Sequence, residues 1–186
     1  MGKKILMFLG TPRPHKGIDD LLVAFEKIDN PDFNLVIIGV ENQQEFLKGI
    51  DASVKDRVMV MPKTPFDKLP EYLAAADIIA IPQRRTSDSI GQIPARLFDA
   101  MAMAKPILTT RISDIPEVLG GCGYLVDPNE PSQLADAIKY ILTHSDEAHK
   151  KGQAARKRCE QMYDMSNLES SLKELIEQVV VRKGLK

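Results

Sequence analysis

The chain of 186 residues has little cysteine, almost no net charge and no long apolar run. Its two cysteines, Cys122 and Cys159, form no close-spaced pair and no cluster with histidine, which argues against a disulfide framework and a zinc site. A formal net charge of −1 provides no broad field for holding nucleic acid. No apolar run approaches the roughly twenty residues of a membrane span. These absences predict a soluble, cytoplasmic protein without a transmembrane segment or a nucleic-acid partner.

Apolar, β-rich runs alternate with stretches of helical spacing along the chain. The runs are continuous, which is typical of parallel strands covered on both faces. They lie at Ile5–Leu9, Phe33–Ile38, Arg57–Met61, Ile78–Ile81, Pro106–Thr109 and Tyr124–Val126. This order predicts an α/β fold: a Rossmann-like, doubly wound parallel sheet of about six strands with helices on both faces. Helical patterns after residue 130 predict extra C-terminal helices, and we assign residues 1–186 to a single domain.

The stretch GTPRPHKG, residues 10–17, follows the first predicted strand and leads into a helical pattern. In an open parallel sheet, ligands bind at such a place, where helix N-termini attract phosphate. The stretch is not a nucleoside-triphosphate loop, because an isoleucine follows Lys16-Gly17, and it lacks the three glycines of a dinucleotide fingerprint. Gly10 permits close backbone approach, and Arg13 with Lys16 suits a diphosphate. A solvated turn is an equally good interpretation of this stretch alone.

A second phosphate-facing loop is predicted at SIGQIPARLFDAM, residues 89–101. Gly91 and Gln92 would present backbone N–H groups to a phosphate or sugar oxygen, and Asp99 would accept hydrogen bonds from vicinal sugar hydroxyls. Gln92, Arg96 and Asp99 recur along one side of the predicted helix, and an ordinary Arg96–Asp99 ion pair is the alternative interpretation. The buried stripe of the same helix is expected to hold Ile93, Leu97, Met101 and Ala104.

Seven pieces of the chain, in order, resemble the nucleotide-sugar-binding C-terminal half of retaining GT-B glycosyltransferases of family four, also called group 1. They are FLGTPRPHKGIDDLLVAF, LVIIG, LPEYLAAADIIAIP, FDAMAMAKPILTT, SDIPEV, GYLVDPNEPSQLADAI and MYDMSNLESSLKELIE. The resemblance runs nearly end to end. It implies that Lys16 binds the donor diphosphate and that Asp99 binds the ribose of the nucleotide.

The sequence departs from the family pattern at two places. Many relatives carry an arginine directly after the first-loop glycine, where this chain has Thr11, so Arg13 is expected to take that role. The family's first glutamate, eight positions before the residue that binds ribose, falls on Gly91. The candidates to replace it are Asp88, Gln92 and the backbone of residues 90–93.

Contacts to the nucleobase are expected from the loops after the second and third strands, since these loops flank the same edge of the sheet. They lie near Gly39–Glu41 and Pro62–Thr64 and supply the candidate residues Gly39, Lys63 and Thr64. Their composition does not identify the base. The three histidines receive no functional role.

The resemblance implies an enzyme of two facing domains, of which this chain is one. The full protein would transfer a hexosyl group with retention from a nucleoside-diphosphate sugar to a saccharide or lipid acceptor. Lys16 and Arg13 would stabilise the leaving diphosphate, no cofactor or metal is expected, and no Asp-x-Asp pair occurs. The acceptor surface would lie in the missing N-terminal half, and membrane association through that half is left open.

Other functions remain open from the sequence. The chain could be a stand-alone nucleotide-binding or protein-interaction module without catalysis. A non-hydrolysing sugar epimerase or a phosphorylase would share the same architecture. In the glycosyltransferase interpretation, the isolated domain is expected to be inactive.

Overall fold

The structure, a computed structural model, describes residues 2–183. Its strands are β1 Lys4–Leu9, β2 Phe33–Ile38, β3 Val58–Met61, β4 Ile78–Ile81, β5 Ile107–Thr110 and β6 Tyr124–Val126. Its α-helices are α1 Ile18–Glu26, α2 Gln43–Lys48, α3 Leu69–Ala75, α4 Ala95–Ala102, α5 Ile115–Leu119, α6 Pro131–Thr143, α7 Ser145–Met162 and α8 Met165–Lys183. Short 3-10 turns occur at Pro14–Lys16, Lys55–Arg57 and Phe66–Lys68.

The strands form one parallel sheet in the order β3-β2-β1-β4-β5-β6. Leu6 of β1 lies opposite Leu35 of β2 and Ile78 of β4, so β1 is hydrogen-bonded on both sides. The strand order reverses between β1 and β4, where the connections lead to opposite faces and leave a crevice at the carboxyl edge. The predicted six-stranded, doubly wound parallel sheet is confirmed.

Helices cover both faces of the sheet because its strands carry apolar side chains in both directions. Leu6 and Phe8 join the core layer that includes Phe25 of α1, whereas Met7 joins the opposite layer with Leu97 of α4. This alternation follows from the two-residue period of a strand. Continuous apolar runs therefore correctly predicted the strands, of which β4 and β5 are buried throughout, whereas the edge strands β3 and β6 are only partly buried. Helices α7 and α8 are the expected extra C-terminal helices.

The predicted start of the helix after β4 is wrong. We expected Gln92 and Ile93 on the helix, but α4 begins at Ala95 because Pro94 is extended, with φ −67° and ψ 128°. Leu97 and Met101 are fully buried as expected. Ala104 lies beyond the helix end with φ 54°, in the left-handed region.

Candidate functional site

Two cavities adjoin at the carboxyl edge of the sheet, and Thr11 and Arg96 line both. The first, of about 440 Å³, is called the cationic pocket and is lined by Thr11, Arg13, His15, Lys16, Asp88, Gln92 and Arg96. The second, of about 580 Å³, is called the apolar pocket and is lined by Leu9, Gly10, Thr11, Ile38, Gly39, Lys63, Thr64, Pro65, Phe66, Leu69, Ala95, Arg96 and Asp99. The loops after β1 and β4 thus converge on one continuous site.

The loop after β1 has a fixed shape. Its 3-10 turn Pro14–Lys16 begins with a hydrogen bond from the Lys16 N–H to the Arg13 carbonyl, 2.8 Å long. Gly17 follows with φ 68°, and a Cβ at this position would overlap the Pro82 carbonyl. Only glycine satisfies both conditions. The loop is therefore packed against the end of β4, in contrast to a freely solvated turn.

A partly buried ion pair connects the loop after β4 to the first helix. Arg84 donates from Nε and Nη2 to the two carboxylate oxygens of Asp20, over 2.7 and 2.6 Å. The hydrogen bond to Asp20 raises the pKa of Arg84, although burial opposes it. The Arg84 N–H also donates to the His15 carbonyl. The two loops that form the cationic pocket are therefore held to each other.

The Ser89 hydroxyl closes a compact turn within the same loop. It donates to the Arg84 carbonyl over 2.5 Å and accepts from the Thr86 N–H over 2.9 Å, and the residue is fully buried. Two residues later, the Gly91 N–H donates to Ser113 Oγ over 2.9 Å. This N–H group, which we expected to face a ligand, is occupied by the protein itself.

Three cationic side chains converge on the cationic pocket: Arg13, Lys16 and Arg96. Burial lowers the pKa of Lys16, and the charges of Arg96 and Arg13 lower it further. Burial also lowers the pKa of Arg96, although Asp99 opposes the shift. Within the described residues, no salt bridge or hydrogen bond engages the Arg96 guanidinium. An anion entering this pocket would meet positive charge that lacks a close protein partner.

The guanidinium of Arg96 lies directly against the end of β1. Gly10 has φ 136°, and a Cβ built on it would overlap the guanidinium group. Glycine at this position therefore gives Arg96 the space to reach between the two pockets. Arg96 and Asp99 influence each other's pKa through their charges, but no salt bridge with an N···O distance of 4.0 Å or less joins them among the described residues, so a simple ion pair does not describe this arrangement.

The chain matches the family model "Glycosyl transferases group 1" over residues 1–158. It belongs to this family. It is 28% identical over 168 residues to N-acetyl-alpha-D-glucosaminyl L-malate synthase of Bacillus anthracis, covering 83% of this chain and 40% of that protein. It is 26% identical over 184 residues to spore coat protein SA of Bacillus subtilis, covering 92% of this chain and 48% of that protein. The chain thus spans less than half the length of these curated relatives.

Solved structures with the same fold include two informative cases. Anabaena Alr3699/HepE in complex with UDP has a TM-score of 0.82 at 18% identity, with coverage of 95% of this chain and 49% of HepE. The C-terminal domain of the group 1 glycosyltransferase LpcC of Francisella tularensis has a TM-score of 0.73 at 23% identity, with 88% of each chain covered. The sequence-based resemblance to the C-terminal domain of a group 1, GT-B glycosyltransferase is confirmed.

In this member of the family, the structure brings together most of the candidate site residues. The cationic pocket contains Arg13, Lys16 and Gln92, and the apolar pocket contains Gly10, Gly39, Lys63, Thr64 and Asp99. Thr11 and Arg96 join the two groups. Gly91 and Ile93 line neither pocket, and Ile93 instead packs against the core layer beside α4.

Asp99 is a half-buried carboxylate in the apolar pocket. Burial raises its pKa, and the positive charge of Arg96 partly opposes that shift. An ionised Asp99 would act as a hydrogen-bond acceptor with two oxygens. Asp99 and Lys16 lie on the same edge of the sheet, as one ligand bridging both pockets requires.

Asp88 occupies the cationic pocket, close to where the missing family glutamate was expected. Its Oδ2 lies 3.7 Å from Nδ1 of His15, and its side chain is largely exposed. Burial lowers the pKa of His15, the charge of Lys16 lowers it further, and Asp88 acts in the opposite direction. The lowered pKa favours the neutral form of His15. Asp88 is the carboxylate in the lining of this pocket.

Sequence reasoning did not include Phe66 among the site residues. Phe66 follows the expected Lys63–Thr64 segment and lines the apolar pocket, yet 84% of it is exposed. An aromatic residue beside a predicted ligand loop was the available signal.

Among residues 2–183, no three His, Cys, Asp or Glu side chains are grouped to hold a metal ion. No helix in the same described range has the length and hydropathy of a membrane span.

Proposed function

We propose that this domain binds the nucleoside-diphosphate-sugar donor of a group 1 glycosyltransferase. The observation that carries the proposal is the pair of adjoining pockets with different chemistry, joined at Thr11 and Arg96. The diphosphate occupies the cationic pocket, the ribose reaches Asp99, and the nucleobase extends into the apolar pocket. Anabaena HepE, which shares the fold, has been solved with UDP-glucose.

The charges of the cationic pocket support a diphosphate as the ligand. Arg13, Lys16 and Arg96 together offer three positive charges, and a diphosphate ester carries two negative charges or more. The lowered pKa of Lys16 reflects burial and repulsion among these cations, which a bound anion would relieve. Asp88 and Gln92, on the loop after β4, are then available to hydroxyl groups of the sugar.

The same proposal extends to the reaction of the full protein, which transfers a hexosyl group with retention to an acceptor. Positive side chains preorganised around the leaving diphosphate stabilise charge as the glycosidic bond breaks, and Lys16 with Arg13 supplies this stabilisation without a cofactor. We propose that a second, N-terminal domain provides the saccharide or lipid acceptor site and that the protein acts in the cytoplasm. Several curated relatives are D-inositol 3-phosphate glycosyltransferases, which supports transfer of this kind. The family match disfavours a stand-alone module without catalysis.

Calorimetric titration with UDP, GDP, ADP and inorganic pyrophosphate tests the proposal directly. We expect at least one nucleotide and pyrophosphate to bind, and Lys16→Ala to weaken both by about 1.5–3 kcal/mol, the range for a charged hydrogen bond. Lys139→Ala, which removes an exposed lysine on α6, is the matched control and should bind as the parent does. Equal affinities for the parent and Lys16→Ala would remove Lys16 from the site.

A further inference from the structure

Phe66 is the most exposed of the large apolar side chains described in the structure. It opens the 3-10 turn Phe66–Lys68 after Pro65 and contributes to neither core layer. Burying a phenylalanine ordinarily stabilises a protein by about 1.5–3 kcal/mol, and here the fold does not gain that contribution. A single exposed apolar residue needs no explanation by itself. Phe66, however, also lines the apolar pocket, so its position bears on ligand binding.

The strand order determines which part of the apolar pocket Phe66 can reach. The loop that carries Phe66 follows β3, at one edge of the sheet, whereas Arg96 and Asp99 lie on α4, which follows β4. The Arg96 guanidinium lies against Gly10 at the end of β1, and β2 separates β1 from β3, a distance of about 10 Å at the usual strand spacing. The pocket therefore runs from the charged residues of α4 to the aromatic ring after β3, and Phe66 lies at the end remote from the phosphate-binding cations.

The inner wall of the pocket combines backbone and apolar side chains. Gly39 has φ 112°, and a Cβ placed on it would lie 2.6 Å from the Gly10 carbonyl carbon, so the two backbones pack with no side chain between them. Ile38 and Leu69 continue the lining with apolar surface. On the loop after β3, Pro65 is extended at φ −56° and ψ 146° and restricts the backbone next to Phe66.

We infer that the ring of Phe66 stacks on the nucleobase of the donor and closes the outer side of the apolar pocket. This inference rests on the proposed function, since it names the contact that holds the base of the same ligand. Every base has an aromatic face, so the contact strengthens binding of the nucleotide without by itself selecting one base. Selection among bases is left to polar groups of the pocket such as Lys63 and Thr64.

Substitution of Phe66 separates the base contact from the phosphate contact. With the nucleotide that binds the parent best among UDP, GDP and ADP, Phe66→Ala should lose about 5- to 160-fold in affinity, which corresponds to the worth of one stacked base. Affinity for inorganic pyrophosphate should not change, because pyrophosphate has no base. Phe66→Tyr should restore nucleotide binding. Met59→Ala, which removes an exposed apolar side chain from β3, is the matched control.

A fluorescence experiment reports the same contact directly, because the chain contains no tryptophan. Phe66→Trp introduces the only indole, and its emission should change when the nucleotide is added but not when pyrophosphate is added. Met162→Trp, at an exposed position at the end of α7, should respond to neither ligand. Stacking of an aromatic base on the indole is the physical cause of the expected signal.

The possible results distinguish this inference from the proposed function. If the parent binds nucleotide and Phe66→Ala binds it with the same affinity, the stacking contact alone is overturned. The same holds if the fluorescence of Phe66→Trp does not change when nucleotide is added. Equal losses for nucleotide and pyrophosphate in Phe66→Ala also overturn it, because they indicate a structural role. A parent that binds neither ligand overturns both the inference and the proposed function.

Discussion

The cationic pocket concentrates three positive side chains, and Asp88 is the single carboxylate in its lining. The folded-state pKa of Lys16 lies below its ordinary value because of burial and the nearby Arg96 and Arg13. Protonation of Lys16 therefore opposes folding at every pH below that folded-state pKa, including neutral pH. Such a cluster is unfavourable for stability alone and becomes favourable when an anion binds. Residues that weaken the free fold in this way are common at functional sites.

Substitution of Asp99 tests the role of a single residue, because it should stabilise the free domain and weaken nucleotide binding. Its folded-state pKa is raised by burial, so its ionisation opposes folding above that pKa. We expect Asp99→Asn to raise the Tm of the free domain at neutral pH, measured by thermal unfolding. The same variant should bind UDP about 1.5–3 kcal/mol more weakly, because a charged acceptor for the ribose hydroxyls is lost, and should bind pyrophosphate as the parent does.

The pH dependence of UDP binding by the parent and by Asp99→Asn completes this test. As the pH falls through the raised pKa of Asp99, the parent loses its ionised acceptor and its affinity approaches that of Asp99→Asn. Protonation of UDP affects both proteins equally and cancels in the ratio. Asp136→Asn, on the exposed side of α6, serves as the control. A UDP affinity ratio that stays constant with pH would exclude ionised Asp99 as a ligand of the ribose.

At the scale of elements, the site depends on how the loops after β1 and β4 are held together. Arg84 lines neither pocket, yet its bidentate bonds to Asp20 hold the loop after β4 to α1, and its backbone N–H bond to the His15 carbonyl holds it to the loop after β1. We expect Arg84→Met to lower the free energy of unfolding by about 1.5–3 kcal/mol and also to weaken pyrophosphate binding. Urea denaturation and calorimetry well below the Tm measure the two effects separately.

The neighbouring Arg85 supplies a matched control for this experiment. Arg85 is exposed, and Arg85→Met removes the same charge from the same loop without breaking the bond to Asp20. It should leave both the unfolding free energy and pyrophosphate affinity near the parent values. A loss of stability in Arg84→Met with unchanged pyrophosphate affinity would show that Arg84 stabilises the fold but does not position the pocket.

The elements differ in how well the sequence predicts them. Strand β4, Ile78–Ile81, is a continuous apolar run bounded by polar residues and proline, and its position follows from local composition. The start of α4 does not follow from local composition, because the extended Pro94 belongs to a loop that the buried Ser89 hydroxyl holds in shape. The occupied Gly91 N–H has a similar cause, since its partner Ser113 lies 22 residues away. Contacts between loops that are distant in the sequence cannot be predicted from a local pattern of residues.

At the scale of the molecule, the parallel sheet explains why so much of the site could be predicted. Lys16 and Asp99 are far apart in sequence, but both follow strands whose carboxyl ends meet at one edge. That edge is implied by the alternation of strands and helices alone. Phe66 was missed because its exposure depends on the turn after Pro65, and the sequence does not show that an aromatic residue there stays out of the core.

The last helix is a separable part of the described structure. Leu172, Leu175, Ile176 and Val179 of α8 are between 44% and 60% exposed, and of the side chains described, none beyond Tyr163 belongs to either core layer. The turn into α8 is closed locally, since Asp164 accepts from the Ser166 N–H and Asn167 donates to the Glu160 carbonyl. The sheet and both pockets are thus complete before residue 170.

We therefore expect a chain that ends after Ser170 to keep its fold and its ligand. Removal of surface that is already exposed should change the Tm by less than about 2 °C, because substitutions of such surface cost little free energy. Pyrophosphate affinity, measured by calorimetry, should match that of the full 186-residue chain. A loss of about 5 °C or more would mean that α8 supports the sheet. Because each pocket is built from loops at the carboxyl edge, reduced pyrophosphate affinity at unchanged Tm would contradict the placement of the site described here.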